Sequence, residues 1–264
     1  MNENFYRSVF VTGGGGNIGS GVARRFAEGG YRVAVVDRKL DTAEQVAAAI
    51  NADLDGTPCL PIECDVSDEA QVAAAVTRCV DELGGLDALI NNAGWGNQVP
   101  DIAAFDRATW DAILATNLTG PMLLMKHAAK HLAAGYDADA KPQQRVAGAV
   151  VNMSSIRAMQ SRQPNYAYSA TKAGLIGLTH DLAMSLGPAI RVNAIAPGWI
   201  APPREHEGYL TAEHHALQPV GRVGHNADIA EACWFLCSPA GGFVTGQVFT
   251  VDGGVSRLLP YEDY

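Results

Sequence analysis

The chain alternates short apolar runs with longer stretches in which apolar residues recur at helical spacing. The runs 9–11, 33–36, 59–62, 88–90, 149–151, 191–195 and 248–251 are rich in aliphatic residues and short enough to be strands buried on both faces. Between them, 18–28, 41–51, 69–83, 109–133, 165–186 and 227–236 read as helices. Such alternation builds a parallel sheet through right-handed crossovers, so the expected fold class is α/β. We expect a doubly wound arrangement, a mainly seven-stranded parallel sheet with helices on both faces, forming a single domain over residues 1–264. Ser67 ahead of Asp68 and Glu69, and Asp41 ahead of Glu44, supply helix-start signals. Two irregular stretches interrupt the alternation. Residues 135–144 are polar, contain Pro142 and read as an exposed loop. Residues 197–219 follow the sixth strand and carry Trp199, Arg204, Glu205, His206, Glu207, Tyr209, His214 and His215.

Charge and composition narrow the partners. A formal net charge of -9 without a basic tract argues against nucleic acid or an anionic membrane surface, which are held by clustered Lys and Arg. No run approaches the ~20 apolar residues of a membrane span, and 1–7 carries no apolar signal core. A cytoplasmic, soluble protein is expected. The five cysteines, Cys59, Cys64, Cys79, Cys233 and Cys237, are odd in number and lack paired metal-ligand spacing, so they read as core thiols and no metal is expected. His127 and His131 lie one helical turn apart, but without the glutamate of a metalloprotease helix they read as a solvated or interface face.

The candidate chemistry sits in three places. Tyr168 and Lys172 fall one turn apart on the fifth predicted pattern of helix, where an ammonium lowers a phenol's pKa toward the range a general acid or base needs. Ser155 lies upstream. The first strand runs into Thr12-Gly13-Gly14-Gly15-Gly16-Asn17-Ile18-Gly19, whose Gly14, Gly16 and Gly19 fit the G-x-G-x-x-G pattern that brings backbone and a helix start close to a diphosphate. The second strand ends in Asp37, placed to receive ribose hydroxyls.

On these residues, together with Asn91-Asn92-Ala93-Gly94, Asn117 in Asn117-Leu118-Thr119-Gly120, Asp65-Val66, Pro197-Gly198-Trp199-Ile200 and the run from Thr245 to Gly254, the chain resembles the classical short-chain dehydrogenase/reductase family over nearly its whole length. The resemblance implies a Rossmann-type domain that interconverts a secondary alcohol and a ketone by hydride transfer. The implied catalytic set is Asn117, Ser155, Tyr168 and Lys172: Tyr168 as acid–base, Ser155 holding the substrate oxygen, Lys172 also reaching the nicotinamide ribose, and Asn117 bending its helix and anchoring a proton-relay water. The implied cofactor contacts are Gly13, Gly16, Asn17, Ile18, Gly19, Asp37, Asp65, Val66, Asn92, Ala93, Gly94, Pro197, Gly198 and Ile200, with Tyr168 and Lys172. Asp37 favours NAD over NADP, because a carboxylate repels a 2′-phosphate; Arg38 reads as an adenine-face or solvent residue.

Two positions depart from the family pattern. Asn17 replaces a glycine and is expected to keep the turn through its tolerance of left-handed backbone, and Pro202 replaces a threonine. Trp95, Met159, Trp199 and Tyr209 are candidate substrate walls, with Arg157, Gln160 and Gln163 as polar contacts. Residues 197–217 are expected to act as a mobile substrate lid. The favoured substrate is a sugar-like, cyclic or secondary-metabolite alcohol. A 3-oxoacyl thioester (acyl carrier protein) reductase and a non-catalytic dinucleotide-sensing protein are the alternatives. The helices over 109–133 and 165–186 resemble family interfaces and imply a homotetramer, with a dimer second; the tail with Tyr261 and Tyr264 would reach a neighbouring subunit.

Overall fold

A computed structural model describes residues 7–54, 58–141, 146–161, 164–202 and 208–258. Its strands are β1 (Ser8–Thr12), β2 (Arg32–Asp37), β3 (Cys59–Glu63), β4 (Ala88–Asn91), β5 (Gly148–Met153), β6 (Ile190–Pro197) and β7 (Val248–Val251). They form one parallel 7-stranded sheet in the order β3-β2-β1-β4-β5-β6-β7. The helices are α1 (Asn17–Glu28), α2 (Leu40–Asp53), α3 (Glu69–Leu83), α4 (Arg107–Leu114), α5 (Gly120–Leu132), α6 (Tyr166–Leu186), α7 (Ala212–Ala216) and α8 (Asn226–Cys237).

A parallel sheet needs cover on both faces, and the side chains of β1 show how the sequence provides it. Val9 and Val11 enter a core with Val22 and Phe26 of α1 and Ile229 of α8. Phe10, pointing the other way, enters a second core with Val72 and Val76 of α3 and Leu124 of α5. After β3 the chain crosses back so that β4 pairs with the opposite edge of β1, where Val9 lies beside Ala88. This reversal opens a crevice at the carboxyl ends of the strands. The first and last parts of the chain meet on one face: Phe26, Tyr31 and Trp234 pack edge to face at 5.1–5.6 Å, and the Arg25 guanidinium lies 4.2 Å over Trp234.

Several sequence expectations change. The continuous helix expected over 109–133 is interrupted by a π-helical turn at Ala115–Thr119, separating α4 from α5. Asp68, not Ser67, caps α3, its carboxylate accepting from the amides of Ala70 at 2.9 Å and Gln71 at 3.1 Å, while Ser67 donates to Asp65 at 2.6 Å. Lys39 precedes α2 as its cap residue, which leaves Asp41 in the first turn. The stretch 197–219 contains α7, started by a Thr211–His214 capping box that the apolar pattern does not reveal. All five cysteines are buried free thiols, and burial pushes those of Cys59, Cys64, Cys79 and Cys237 up to about 12. His127 contacts the Glu69 carboxylate at 3.1 Å, beside Lys126. No helix among the described residues is long and apolar enough to cross a membrane. Pro142, Tyr261 and Tyr264 lie outside the described residues.

Candidate active site

The crevice is stitched open by the ends of β1 and β4. Thr12 Oγ1 accepts from the amides of Asn92 and Ala93, each at 3.0 Å, and donates to the Ile90 carbonyl at 3.2 Å. Asn92 Nδ2 returns the link, donating to the carbonyls of Thr12 at 2.9 Å and Gly13 at 3.2 Å. Gly13 takes φ +61°, and Gly19 lets α1 press against the Gly13 carbonyl, into which a Cβ would collide. Helix α1 starts after Gly16 with no side-chain cap, so the amides of its first turn face the crevice without a side-chain acceptor. Farther along, Asp37 is fixed by the backbone: Oδ2 accepts from the Gly15 amide at 3.1 Å and Oδ1 from the Lys39 amide at 3.2 Å.

Asn17 does not have the geometry expected of it. Among the described residues no non-glycine has positive φ, and Asn17 is the first helical residue of α1. The left-handed step of the loop falls on Gly13 instead. The Asn17 side chain crosses to the segment after β6, donating from Nδ2 to the Ala201 carbonyl at 2.5 Å.

The other end of the crevice is built by β5, α6 and the π turn. Two adjacent serines follow β5 and divide their work. Buried Ser154 donates to the Lys172 carbonyl at 2.7 Å, pinning α6, whereas Ser155 bonds the Tyr168 side chain and accepts from the Arg157 amide at 3.2 Å. Lys172 is buried and donates from Nζ to the Met153 carbonyl at 2.6 Å; burial lowers its ammonium pKa to about 8. Its Nζ lies 5.4 Å from the Tyr168 ring centroid. The expectation that Lys172 depresses the Tyr168 pKa needs correction. Burial raises that pKa, and the opposing influences are the Ser155 hydrogen bond and the Arg157 charge. Gly96 leaves room for the Tyr168 ring, since a Cβ there would stand 2.9 Å from Tyr168 Cβ and Cδ2.

The π turn aims Asn117 inward. Its Oδ1 accepts from the Trp95 amide at 3.0 Å, and its Nδ2 donates to the Trp95 carbonyl at 2.8 Å and Thr171 Oγ1 at 3.2 Å. Asn117 is thus locked behind Trp95 while Gly94 keeps the space between Asn117 Oδ1 and Lys172 Nζ narrow, a Cβ there standing 3.2 Å from each.

These walls enclose a cleft of about 760 Å³. Every predicted cofactor residue except Gly19 lines it, and Ser155, Tyr168, Lys172, Trp95 and Trp199 line it too. Gly19 acts one layer below. Trp199 packs edge to face on His214 at 5.1 Å. Tyr209 and Met159 are exposed and Gln160 donates to the Ser256 carbonyl at 2.8 Å, so these three are not brought into the cleft walls. Arg157 is also outside the lining, although its charge reaches Tyr168. Gln163, Pro203 and Arg204 to Glu207 lie outside the described residues. Sequence reasoning missed Cys64, Thr116, Met153 and Ser154 as lining residues, and Arg38, read as an adenine-face or solvent residue, lines the cleft. Met153 acts through its carbonyl, for which the side chain gives no signal.

The residues present fit a nicotinamide dinucleotide. Uncapped amides at the start of α1 suit a diphosphate, the anchored Asp37 carboxylate suits ribose hydroxyls, and the opposite end offers Ser155, Tyr168 and Lys172 around one space. Residues 15–256 match a family model described as enoyl-(acyl carrier protein) reductase. Cis-4-hydroxycyclohexanecarboxylate dehydrogenase of Sinomonas cyclohexanicum is 37% identical over 262 residues, 98% of this chain and 100% of that protein. The structure of 3-ketoacyl-(acyl-carrier-protein) reductase from Brucella melitensis, complexed with NADH, superposes with TM-score 0.83 at 33% identity, covering 95% of this chain and 98% of that one. A short-chain type dehydrogenase/reductase from Mycobacterium marinum gives TM-score 0.81 at 29% identity, covering 95% of each chain. The sheet order, the cleft and these likenesses over nearly the full length agree, and the chain belongs to the short-chain dehydrogenase/reductase family of oxidoreductases.

Proposed function

We propose that the protein is an NAD-dependent oxidoreductase that interconverts a secondary alcohol and a ketone, with Tyr168 as its acid–base. The observation that carries this reading is a single cleft with Asp37 at one end and the Ser155–Tyr168–Lys172 constellation at the other. A nicotinamide dinucleotide held by the residues lining this cleft would supply the hydride acceptor for the alcohol carbon and the hydride donor for the ketone. In oxidation the Tyr168 phenolate accepts the hydroxyl proton; in reduction the phenol donates it to the carbonyl oxygen. Ser155, capping the 3-10 turn Ile156–Ala158, holds a fixed hydroxyl toward the substrate oxygen. Lys172, its Nζ 5.4 Å from the Tyr168 ring centroid, lines the same cleft and would hydrogen-bond the nicotinamide ribose. The three hydrogen bonds of Asn117 leave its Oδ1 one lone pair for a relay water.

Asp37 supports NAD because its carboxylate, held by two amides, opposes a 2′-phosphate at the same place. A cyclic alcohol is supported by the Sinomonas relative, whose name describes dehydrogenation of a hydroxycyclohexane carboxylate. The test is a panel of cyclic and sugar-like alcohols and ketones with both cofactors, followed at the reduced-nicotinamide absorbance. Tyr168→Phe should lower turnover by about 10³-fold while dinucleotide affinity barely moves. Asp37→Ala should narrow or reverse the cofactor preference, and equal efficiency of the wild type with NAD and NADP would overturn the NAD reading. The Brucella relative favours a second reading, reduction of a 3-oxoacyl thioester, which turnover of carrier-bound acetoacetyl thioester in preference to the alcohol panel would establish. For assembly we propose a homotetramer, supported by exposed Phe243, Phe235 and Met184; a monomer mass by light scattering at micromolar concentration would contradict it.

A further inference from the structure

Asn17 stands where the family loop offers glycine, and it closes a ring of hydrogen bonds along one wall of the cleft. Its Nδ2 donates to the Ala201 carbonyl at 2.5 Å, and its own carbonyl accepts from Asn226 Nδ2 at 3.1 Å. Ala201 donates to the Gly224 carbonyl at 2.8 Å, and the Gly224 amide donates to the Trp199 carbonyl at 3.1 Å, forming the bridge between Ile200 and Gly224. Two residues beyond Gly224 the chain reaches Asn226 and the ring is complete. The start of α1, the segment carrying Trp199 and the start of α8 are therefore one braced unit.

The position of the brace gives it a use. Ala201 is followed by Pro202, which has no amide hydrogen to offer the cleft and replaces the threonine hydroxyl of the family pattern. The Ala201 carbonyl, immediately before Pro202, is where Asn17 ties this segment to the start of α1. Asn17 Oδ1 is buried and has no hydrogen-bond partner among the described residues, and the Nδ2 bond to the Ala201 carbonyl orients the carboxamide. Trp199 and Ile200, which the brace holds, line the same cleft as Asn17.

We propose that Asn17 is a positioning residue that fixes the Trp199–Ala201 wall of the substrate site to the dinucleotide end of the cleft, taking over an ordering role that Pro202 lacks the groups to perform. The substrate part of this inference rests on the reading of the cleft as an alcohol–ketone site; the brace itself does not.

Asn17→Gly, which restores the family residue, and Asn17→Ala separate the two. Hydrogen–deuterium exchange of the amides of Ala201 and Gly224, in protein saturated with NADH, should quicken by about tenfold in both variants for loss of one well-placed hydrogen bond. Melting temperature should stay close to wild type in Asn17→Gly, and exchange and kinetics are read at cofactor concentrations that saturate each variant. With the best alcohol of the panel, the Michaelis constant should rise about three- to tenfold while kcat changes less than the Michaelis constant. Unchanged exchange at both amides in both variants would overturn the brace. Faster exchange with an unchanged Michaelis constant would overturn its role in substrate positioning. If the wild type turns over no alcohol or ketone, the functional reading fails, and the exchange result still decides whether the brace exists.

Discussion

Lys172 is the residue on which stability and function pull apart. Burial lowers its pKa to about 8, so the folded chain carries the cost of a buried ammonium at neutral pH. Between about 8 and the unfolded value of about 10.4 the unfolded chain holds a proton that the folded one has released, and stability contributed by this site rises with pH across that window. Below it the penalty is fully present. Urea midpoints of the wild type at pH 7 and 9.5, compared with those of Lys172→Met, should show this rise in the wild type and not in the variant, while Lys172→Met loses turnover. Tyr168 is raised chiefly by burial, with Ser155 and Arg157 opposing. Alcohol oxidation, which needs phenolate, should therefore climb through the alkaline range, and Arg157→Gln should move that climb to still higher pH. A pH–rate profile of kcat/KM that superposes on the wild type would show that Arg157 does not tune the tyrosine. Ser154 illustrates what a sequence can and cannot say at this scale. Family spacing selects Ser155, but only the structure shows that the adjacent hydroxyl is occupied by the Lys172 carbonyl.

Among the elements, the π turn at Ala115–Thr119 is tied to its surroundings through the side chain of Asn117. Asn117 is fully buried and its three hydrogen bonds tie the turn to Trp95 and to Thr171 of α6. Asn117→Ala should destabilise the fold by about 1–3 kcal/mol, because the Trp95 amide and carbonyl lose their partner. Chemical denaturation would measure this, and a loss well below that range would mean water replaces the side chain at no cost. The sequence showed one apolar helical period over 109–133 because the insertion of one wide turn shifts the pattern too little to erase it. Strand and helix order, the diphosphate loop and the Tyr168–Lys172 step were legible for the opposite reason: each rests on local chemistry that repeats within a turn or a strand. The Asn17–Ala201 tie was not legible, since its partner is a backbone carbonyl 184 residues away. The left-handed role expected of Asn17 failed for a related reason: Gly13 already supplies that conformation.

At the scale of the whole molecule, the sheet order was within reach of right-handed crossover rules, whereas the contact between α1 and α8 depends on aromatic packing that no spacing encodes. Trp234 joins Phe26, Tyr31 and Arg25 across this contact. Trp234→Ala should cost about 3 kcal/mol and lower the urea midpoint without altering the order of cofactor preference. A change confined to catalysis, with the midpoint unmoved, would show that the aromatic cluster is not a structural keystone. Arg25 and its partner Glu231 lie 206 residues apart. On a ribosome that delivers roughly 5–20 residues per second, α1 waits on the order of 10–40 s for the surface that covers it. The nascent β1–α1–β2 unit therefore emerges with one aromatic flank bare, and the interval before α8 arrives is when the growing chain depends most on being shielded from its neighbours.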